Sequence, residues 1–318
     1  MMLHEDRYAF LAILQQIHAV SGVRLDILEK DYYVTLLLKE LSEKQRTLPA
    51  YFKGGTALYK AQKSIRRFSE DIDLTVSIEN CSNTQAKRRL ESAAKKYTSL
   101  PRTSDVDMEE NRKGSITAVF DYEPVVPVDE IDPLQRFRHV KIEATSFTVS
   151  EPFTDLEIES ILYTFSDAEQ KKVFREIYGI TPFRIQTITL ERIFADKILA
   201  AEFYFERGLF FDVAKHVYDV SIMLDLPVIK ALLSNPTELL RMIDYKRLEE
   251  TRRIGSDLSN KSFCDYSVFS GISNNTSFET EFYKMQQNYV FNENDILSRD
   301  FIIKQWSKIQ DILYRLEQ

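Results

Sequence analysis

Asp71 and Asp73 stand one residue apart in RFSEDIDL, where Ile72, Leu74, Val76 and Ile78 alternate with Asp71, Asp73, Thr75 and Ser77. That period of two predicts a half-buried strand with both aspartates on its polar face. Carboxylates at i and i+2 of a strand point the same way, their bases roughly 6 to 7 Å apart, so their oxygens can converge on one divalent cation. A third acid on a neighbouring strand completes such a site. Glu143 has the type and the face for it, in the alternating run HVKIEATSFTV (139–149), provided that this run lies beside 71–78. Hard carboxylate oxygens suit Mg²⁺ or Mn²⁺, which hold substrate phosphates. Aspartates on the wet face of an edge strand are common, so the DxD spacing alone leaves both readings open.

Upstream, KGGTALYKAQKSIRR places Gly54 and Gly55 ahead of a helical stretch in a chain with only 8 glycines. A glycine pair lets the backbone approach a ligand closely, Thr56 can start the helix and offer a hydroxyl, and a helix N-terminus favours anions. The motif is neither G-x-x-x-x-G-K-[ST] nor G-x-G-x-x-G. Read alone it is equally a tight strand-to-helix turn. Followed by Lys60, Lys63, Arg66 and Arg67 and then by DxD, it reads as a phosphate-holding turn ahead of a metal-holding strand.

A second signal lies in TLERIFADKILAAEF. On a helix, Leu190, Ile193, Phe194 and Lys197 form one stripe, so the lysine either snorkels to solvent or meets an anion. In FDVAKHVYDVSIML, Val213, Val217, Val220 and Leu224 make the apolar face and Asp212, His216 and Asp219 share the other, with His216 expected at the surface. Two basic stretches, AKRRLESAAKKYTSLPR (86–102) and RMIDYKRLEETRR (241–253), read as solvated helix faces or as local patches for a polyanion.

These residues need elements to carry them. Phe10, Leu11, Leu14 and Ile17 recur at helical spacing, as do Val34, Leu37, Leu38 and Leu41 after LEKDYY, which predicts two N-terminal helices. Strands are expected at 71–78, 115–122 and 139–149, with a helix at 84–97 between the first two. After about residue 186 the period is helical; SNNTSF (273–278) reads as the clearest loop, and the preceding GSDLSNKSFCDYSVFSG is poor in helix formers. The expected organisation is N-terminal helices over 1–48, an α+β core over 49–165 and a mostly α-helical domain over 166–318.

The whole chain has 318 residues, 44% of them hydrophobic and 29% charged, enough for a sizeable core. Its net charge of −7 argues against a nonspecific nucleic-acid coat, leaving only local basic patches for such contacts. Two cysteines without metal spacing, acids in MMLHEDRYAF where a leader is basic, and no apolar run near the roughly 18 residues that span a bilayer point to a soluble, cytoplasmic protein.

LEKDYYVTLLLKEL, FKGGTALYK, RFSEDIDL, VKIEATSF and the later pairing of Lys197 with Asp219 together resemble the AbiEii/AbiGii-type nucleotidyltransferases, the toxins of type IV toxin–antitoxin and phage-abortive systems. The resemblance covers residues 25 to about 225, and the run from FKGGTALYK to RFSEDIDL is its most specific part. It implies a polymerase-β-like core, a mixed sheet flanked by helices, followed by a helical domain. It implies an NTP-binding set of Lys53, Gly54, Gly55, Thr56, Lys60, Arg67 and Ser69, and a Mg²⁺ or Mn²⁺ set of Asp71, Asp73 and Glu143. Those three acids, Lys197 and Asp219 are then the expected catalytic residues. One departure stands out: family members commonly read Arg-Asp where this chain has Lys215-His216 ahead of VYDV.

The activity so implied is transfer of a nucleotidyl group to an RNA acceptor, the tRNA 3′ end in the best-understood relatives, opposed by an antitoxin encoded nearby. Transfer to a protein or a small molecule, and a non-catalytic NTP- or RNA-binding module, are the alternatives.

Overall fold

A computed structural model describes residues 1–63, 66–127, 138–254 and 261–318. Residues 64–65 of the basic stretch and 255–260 of the helix-poor stretch therefore lie outside the described residues. The chain divides into two compact units: Met1–Ala61, Phe68–Ser146 and Phe153–Thr187 form the first, and Gln62–Arg67, Phe147–Pro152 and Ile188–Gln318 the second.

The first unit opens with helices α1 (Arg7–Ser21) and α2 (Leu25–Lys44). Asp6 caps α1 and Gly22 ends it in the left-handed conformation. The two helices pack through Phe10, Leu14 and Ile17 against α2, whose Tyr32 and Tyr33 rings lie edge-on to one another. Next come β1 (Ala50–Lys53), α3 (Gly54–Lys60), β2 (Ile72–Val76), α4 (Asn83–Lys95), β3 (Glu110–Arg112), β4 (Ser115–Asp121) and β5 (His139–Thr145). They are followed by β6 (Phe153–Ile158), α5 (Ile161–Phe165), α6 (Ala168–Val173) and β7 (Phe183–Ile188).

The strands form one sheet in the order β3-β4-β5-β2-β1-β7-β6. It is mixed: β2 runs antiparallel to β1 but parallel to β5, and β1 is parallel to β7. The condition set on Glu143 is met, because β5 lies directly beside β2. As a central strand, β2 is less wet than its alternation predicts, and Thr75 on the aspartate face is fully buried. The first unit continues past the residue-165 cut to Thr187, because Phe183–Ile188 returns to the sheet and lays Thr187 beside Phe52.

The second unit is helical: α7 (Leu190–Phe205), α8 (Phe210–Met223), α9 (Pro227–Leu233), α10 (Pro236–Ile254), α11 (Ser267–Asn274), α12 (Thr276–Tyr289) and α13 (Arg299–Leu316). Phe194 and Ile198 of α7, Val213, Val217 and Val220 of α8 and Trp306 of α13 are all buried. SNNTSF is not the expected loop. Its Ser273 and Asn274 end α11, its last three residues start α12, and Asn275 between them caps α12 by accepting from the Phe278 N–H at 2.9 Å. Polar residues that read as a loop are here a helix junction with a side-chain cap.

Candidate active site

In the first unit β1 passes into α3 without a linker, and Lys53, its last residue, lies opposite Asp73 of β2. Gly54 has φ +79°, and a Cβ built on it would fall on the Asp73 carboxylate. Glycine at 54 is thus required twice: by its left-handed backbone and by the space that the aspartate occupies. Gly55 and Thr56 are buried in the first turn of α3.

Thr56 is not the helix cap; Lys53 holds that position. The Thr56 hydroxyl donates to the carbonyl oxygen of Asp71, and the side chain is fully buried. It ties the glycine turn to the start of the aspartate strand instead of facing a ligand.

Across the next strand pair, Asp73 and Glu143 are direct Cα partners on parallel β2 and β5. Paired residues of neighbouring strands project to the same face about 4.8 Å apart. Asp73 is half-buried and Glu143 exposed, with Asp71 half-buried one residue before β2. Among the described residues no three His, Cys, Asp or Glu side chains converge on a single cation position. The backbone sets Asp73 beside Glu143, but the side chains of the expected metal set do not close on one point. Its chemistry fits a divalent cation: hard carboxylate oxygens on adjacent strands, one of them in a cradle that a Cβ at residue 54 would fill.

Lys60 does not join the glycine turn. It is buried and forms an ion pair with Asp31 of α2 at 2.5 Å. Asp31 also accepts from the Tyr59 hydroxyl and from the Ile161 N–H at 2.7 Å. The last turn of α3 faces α2, so the lysine expected on phosphates holds two helices together. Asp31 was missed in the sequence, although three consecutive charged residues, Glu29, Lys30 and Asp31, inside an apolar helix were the available sign. All three are buried. Ser69 is half-buried in the segment leading to β2.

The second unit gathers the later expected residues. Lys197 on α7 meets an anion, the Asp219 carboxylate on α8, at 2.7 Å. Arg67 binds the same carboxylate through two parallel hydrogen bonds of 2.7 Å. All three side chains are buried. Burial works to raise the Asp219 pKa, but Arg67 and Lys197 outweigh it and hold the carboxyl below its ordinary range. The Arg67 backbone is tied into the same unit by a bridge to Val290, and Arg66 pairs with Asp295 at 2.8 Å. Four residues on from Arg67 the chain reaches Asp71. The partnership of Arg67 with Asp219, 152 residues apart, had no sequence signal.

His216 is half-buried on α8, not an open surface histidine. Its ring stacks on Tyr204 with centroids 5.4 Å apart and planes 18° from parallel. Its Nδ1 is buried without a hydrogen-bond partner among the described residues. Burial, with Lys197, Lys215, Arg67 and Lys246 acting in the same direction, holds the imidazole well below its usual pKa. Lys215 beside it pairs with Asp212 at 2.8 Å.

The sequence matches the family model for the nucleotidyl transferase AbiEii toxin of type IV toxin–antitoxin systems over residues 36–306. Two solved structures are similar over nearly the whole chain. JHP933 from Helicobacter pylori is 13% identical, with a TM-score of 0.42, covering 93% of this chain and 95% of its own. MenT4, a nucleotidyltransferase toxin from Mycobacterium tuberculosis H37Rv, is 12% identical, with a TM-score of 0.44, covering 95% and 98%. No curated protein matches. With the family match running from α2 to α13, across the glycine turn, the aspartate strand, Lys197 and Asp219, the chain belongs to the AbiEii family of nucleotidyltransferase toxins.

Proposed function

We propose that the protein transfers a nucleotidyl group from a nucleoside triphosphate to the 3′ end of an RNA, a tRNA, and that this transfer is its toxic act. The observation that carries the reading is the placement of Asp73 directly beside Glu143 on parallel strands, with Gly54 making room for the Asp73 carboxylate.

In the reaction, the acceptor hydroxyl oxygen attacks the α-phosphorus of the triphosphate. A new P–O bond forms, the bond from the α-phosphorus to its bridging oxygen breaks, and pyrophosphate leaves. Glu143, the most exposed of the three acids, is proposed to take the hydroxyl proton. Asp71 and Asp73 would hold a Mg²⁺ or Mn²⁺ ion, which when bound supplies positive charge against the triphosphate. Lys53, Gly54, Gly55 and Ser69 are proposed to bind the nucleotide, with Thr56 positioning the glycine turn through Asp71. Lys197 and Asp219 are proposed as residues needed for activity, with Arg67 fixing the Asp219 carboxylate.

The setting proposed is the cytoplasm, with an antitoxin encoded nearby. Among the described residues no helix is long and apolar enough to cross a membrane. The test incubates purified protein with Mg²⁺, each labelled NTP and total tRNA. Label that survives protease and is lost to RNase, and that disappears in the Asp71→Ala/Asp73→Ala variant, is the expected result. Label that survives RNase and is lost to protease moves the acceptor to a protein. NTP binding without pyrophosphate release leaves a binding module.

A further inference from the structure

The first unit carries one strongly cationic helix in a chain of net charge −7. Between Asn83 and Lys96 stand five basic residues, Lys87, Arg88, Arg89, Lys95 and Lys96, against a single acid, Glu91. α4 buries Leu90, Ala93 and Ala94 against the sheet, and its Lys87, Arg88 and Lys96 are exposed. Lys95 is half-buried, and Lys87 reaches Glu91 only at 4.0 Å. Arg88 and Lys95, seven residues apart, lie on one face two turns from each other.

A sixth cation comes from α2. The Lys44 ammonium sits 3.3 Å from the centroid of the Tyr97 ring and donates to the Lys96 carbonyl. Burial and the nearby Lys96 charge bring its pKa down to about 8, against the opposing pull of Glu40. The Glu40 carboxylate is itself engaged by the Thr98 and Ser99 N–H groups at 2.9 and 2.7 Å. Lysines 44, 95 and 96 thus crowd one helix end, a surface that attracts polyanions in a chain of net negative charge.

The helix lies on the same sheet as the candidate active site, against the strands that carry Asp73 and Glu143. Arg89 donates to the Ser77 carbonyl at 2.9 Å, immediately beyond the strand that carries Asp73. α4 also packs on β4 and β5, and Tyr97 just beyond it meets Phe120, the register partner of Val140, so the helix covers the sheet face opposite to the one onto which Glu143 projects.

We propose that the solvent side of α4, with Lys44 and Lys96 at its end, is the docking surface for the phosphate backbone of the RNA acceptor. This rests on the RNA reading given above. Lys87, Arg88, Lys95 and Lys96 contact phosphates without reading bases, so the surface sets affinity for the body of the RNA and leaves the choice of its end to the active site.

The test compares the wild-type chain with Arg88→Glu/Lys95→Glu/Lys96→Glu, using full-length tRNA and, separately, a short single-stranded oligonucleotide of the same 3′ sequence. The KM for tRNA should rise at least about tenfold at roughly 0.1 M salt, and the salt slope of tRNA binding should fall by about 2 to 3. The KM for NTP and the rate on the short oligonucleotide should stay within about twofold. Thermal unfolding checks the fold, and the milder Lys95→Gln/Lys96→Gln variant should show the same pattern at smaller size. An unchanged tRNA KM and salt slope in both variants, with the wild type active on tRNA, overturns the docking surface and leaves the RNA reading intact. Lost neutralisation by the antitoxin at unchanged tRNA KM also overturns it, by placing a protein on this face. A wild type inactive on every RNA sinks the acceptor reading itself.

Discussion

Asp73 and Glu143 are register partners on parallel strands, and the residue that makes this possible is neither of them: Gly54 leaves the space that the Asp73 carboxylate fills. Three segments separated by up to 89 positions therefore meet at one aspartate.

Gly54→Ala should damage activity more than stability. The added Cβ falls on the Asp73 carboxylate and sits on a backbone of φ +79°, a strain of about 1 kcal/mol or somewhat more. Expected is a loss of transfer of at least about 100-fold with a melting-temperature drop of only several degrees. Transfer at the wild-type rate would show that the Asp73 position does not matter.

Lys197 and Asp219 should separate in their effects, although they form one ion pair. Asp219→Asn leaves Arg67 and Lys197 buried beside a neutral amide and should destabilise the chain by about 3 to 5 kcal/mol, read by urea unfolding. Lys197→Met keeps the Arg67 pair and fills an otherwise apolar stripe, so it should shift stability by no more than about 1.5 kcal/mol while abolishing transfer. Since the Asp219 pKa lies below its ordinary 3.8, its stabilisation is complete above that value and is lost as pH falls through the folded-state pKa. A Lys197→Met protein with normal transfer would make the lysine purely structural.

His216 should make the fold acid-sensitive just below neutrality. Its folded-state pKa lies well below 6.5, so under pH 6.5 the unfolded chain takes up a proton that the native chain refuses. Stability then falls with decreasing pH by up to about 1.4 kcal/mol per unit. His216→Phe, which keeps the stack on Tyr204, should flatten the stability profile between pH 6.5 and 5.5. Parallel profiles for the two proteins would refute the assignment.

Glu29 should act with the opposite sign. Burial raises its pKa to about 7, against the Val125 and Val126 N–H groups that it accepts at 2.6 and 3.1 Å. Between an unfolded value of 4.5 and a folded value near 7 the native chain holds the extra proton, so this residue's contribution weakens as pH rises through that window. Glu29→Gln keeps an acceptor for only one of the two N–H groups but no longer titrates, so by chemical denaturation it should compare better with the wild type at pH 8 than at pH 5. A variant that loses stability equally at pH 5 and pH 8 would show that the carboxylate is needed in its charged form.

By itself the sequence determined most of the local elements and named the residue types of a candidate site. Alternation marked the strand of Asp71 and Asp73, and helical spacing marked Lys197 as a charge on an apolar stripe. Both signals survive because they depend on neighbours within two turns of the chain. Only the tertiary structure decided which charges are shared. Lys60 read as a basic residue for phosphate and Lys197 as a lysine that snorkels or meets an anion, yet one is closed onto Asp31 between helices and the other onto Asp219 with Arg67. Helix packing sets those partners, over separations of 29, 22 and 152 residues, and no local pattern encodes it. The same holds for Glu143: its type and face were legible, but the register that lays it beside Asp73 is a property of the assembled sheet.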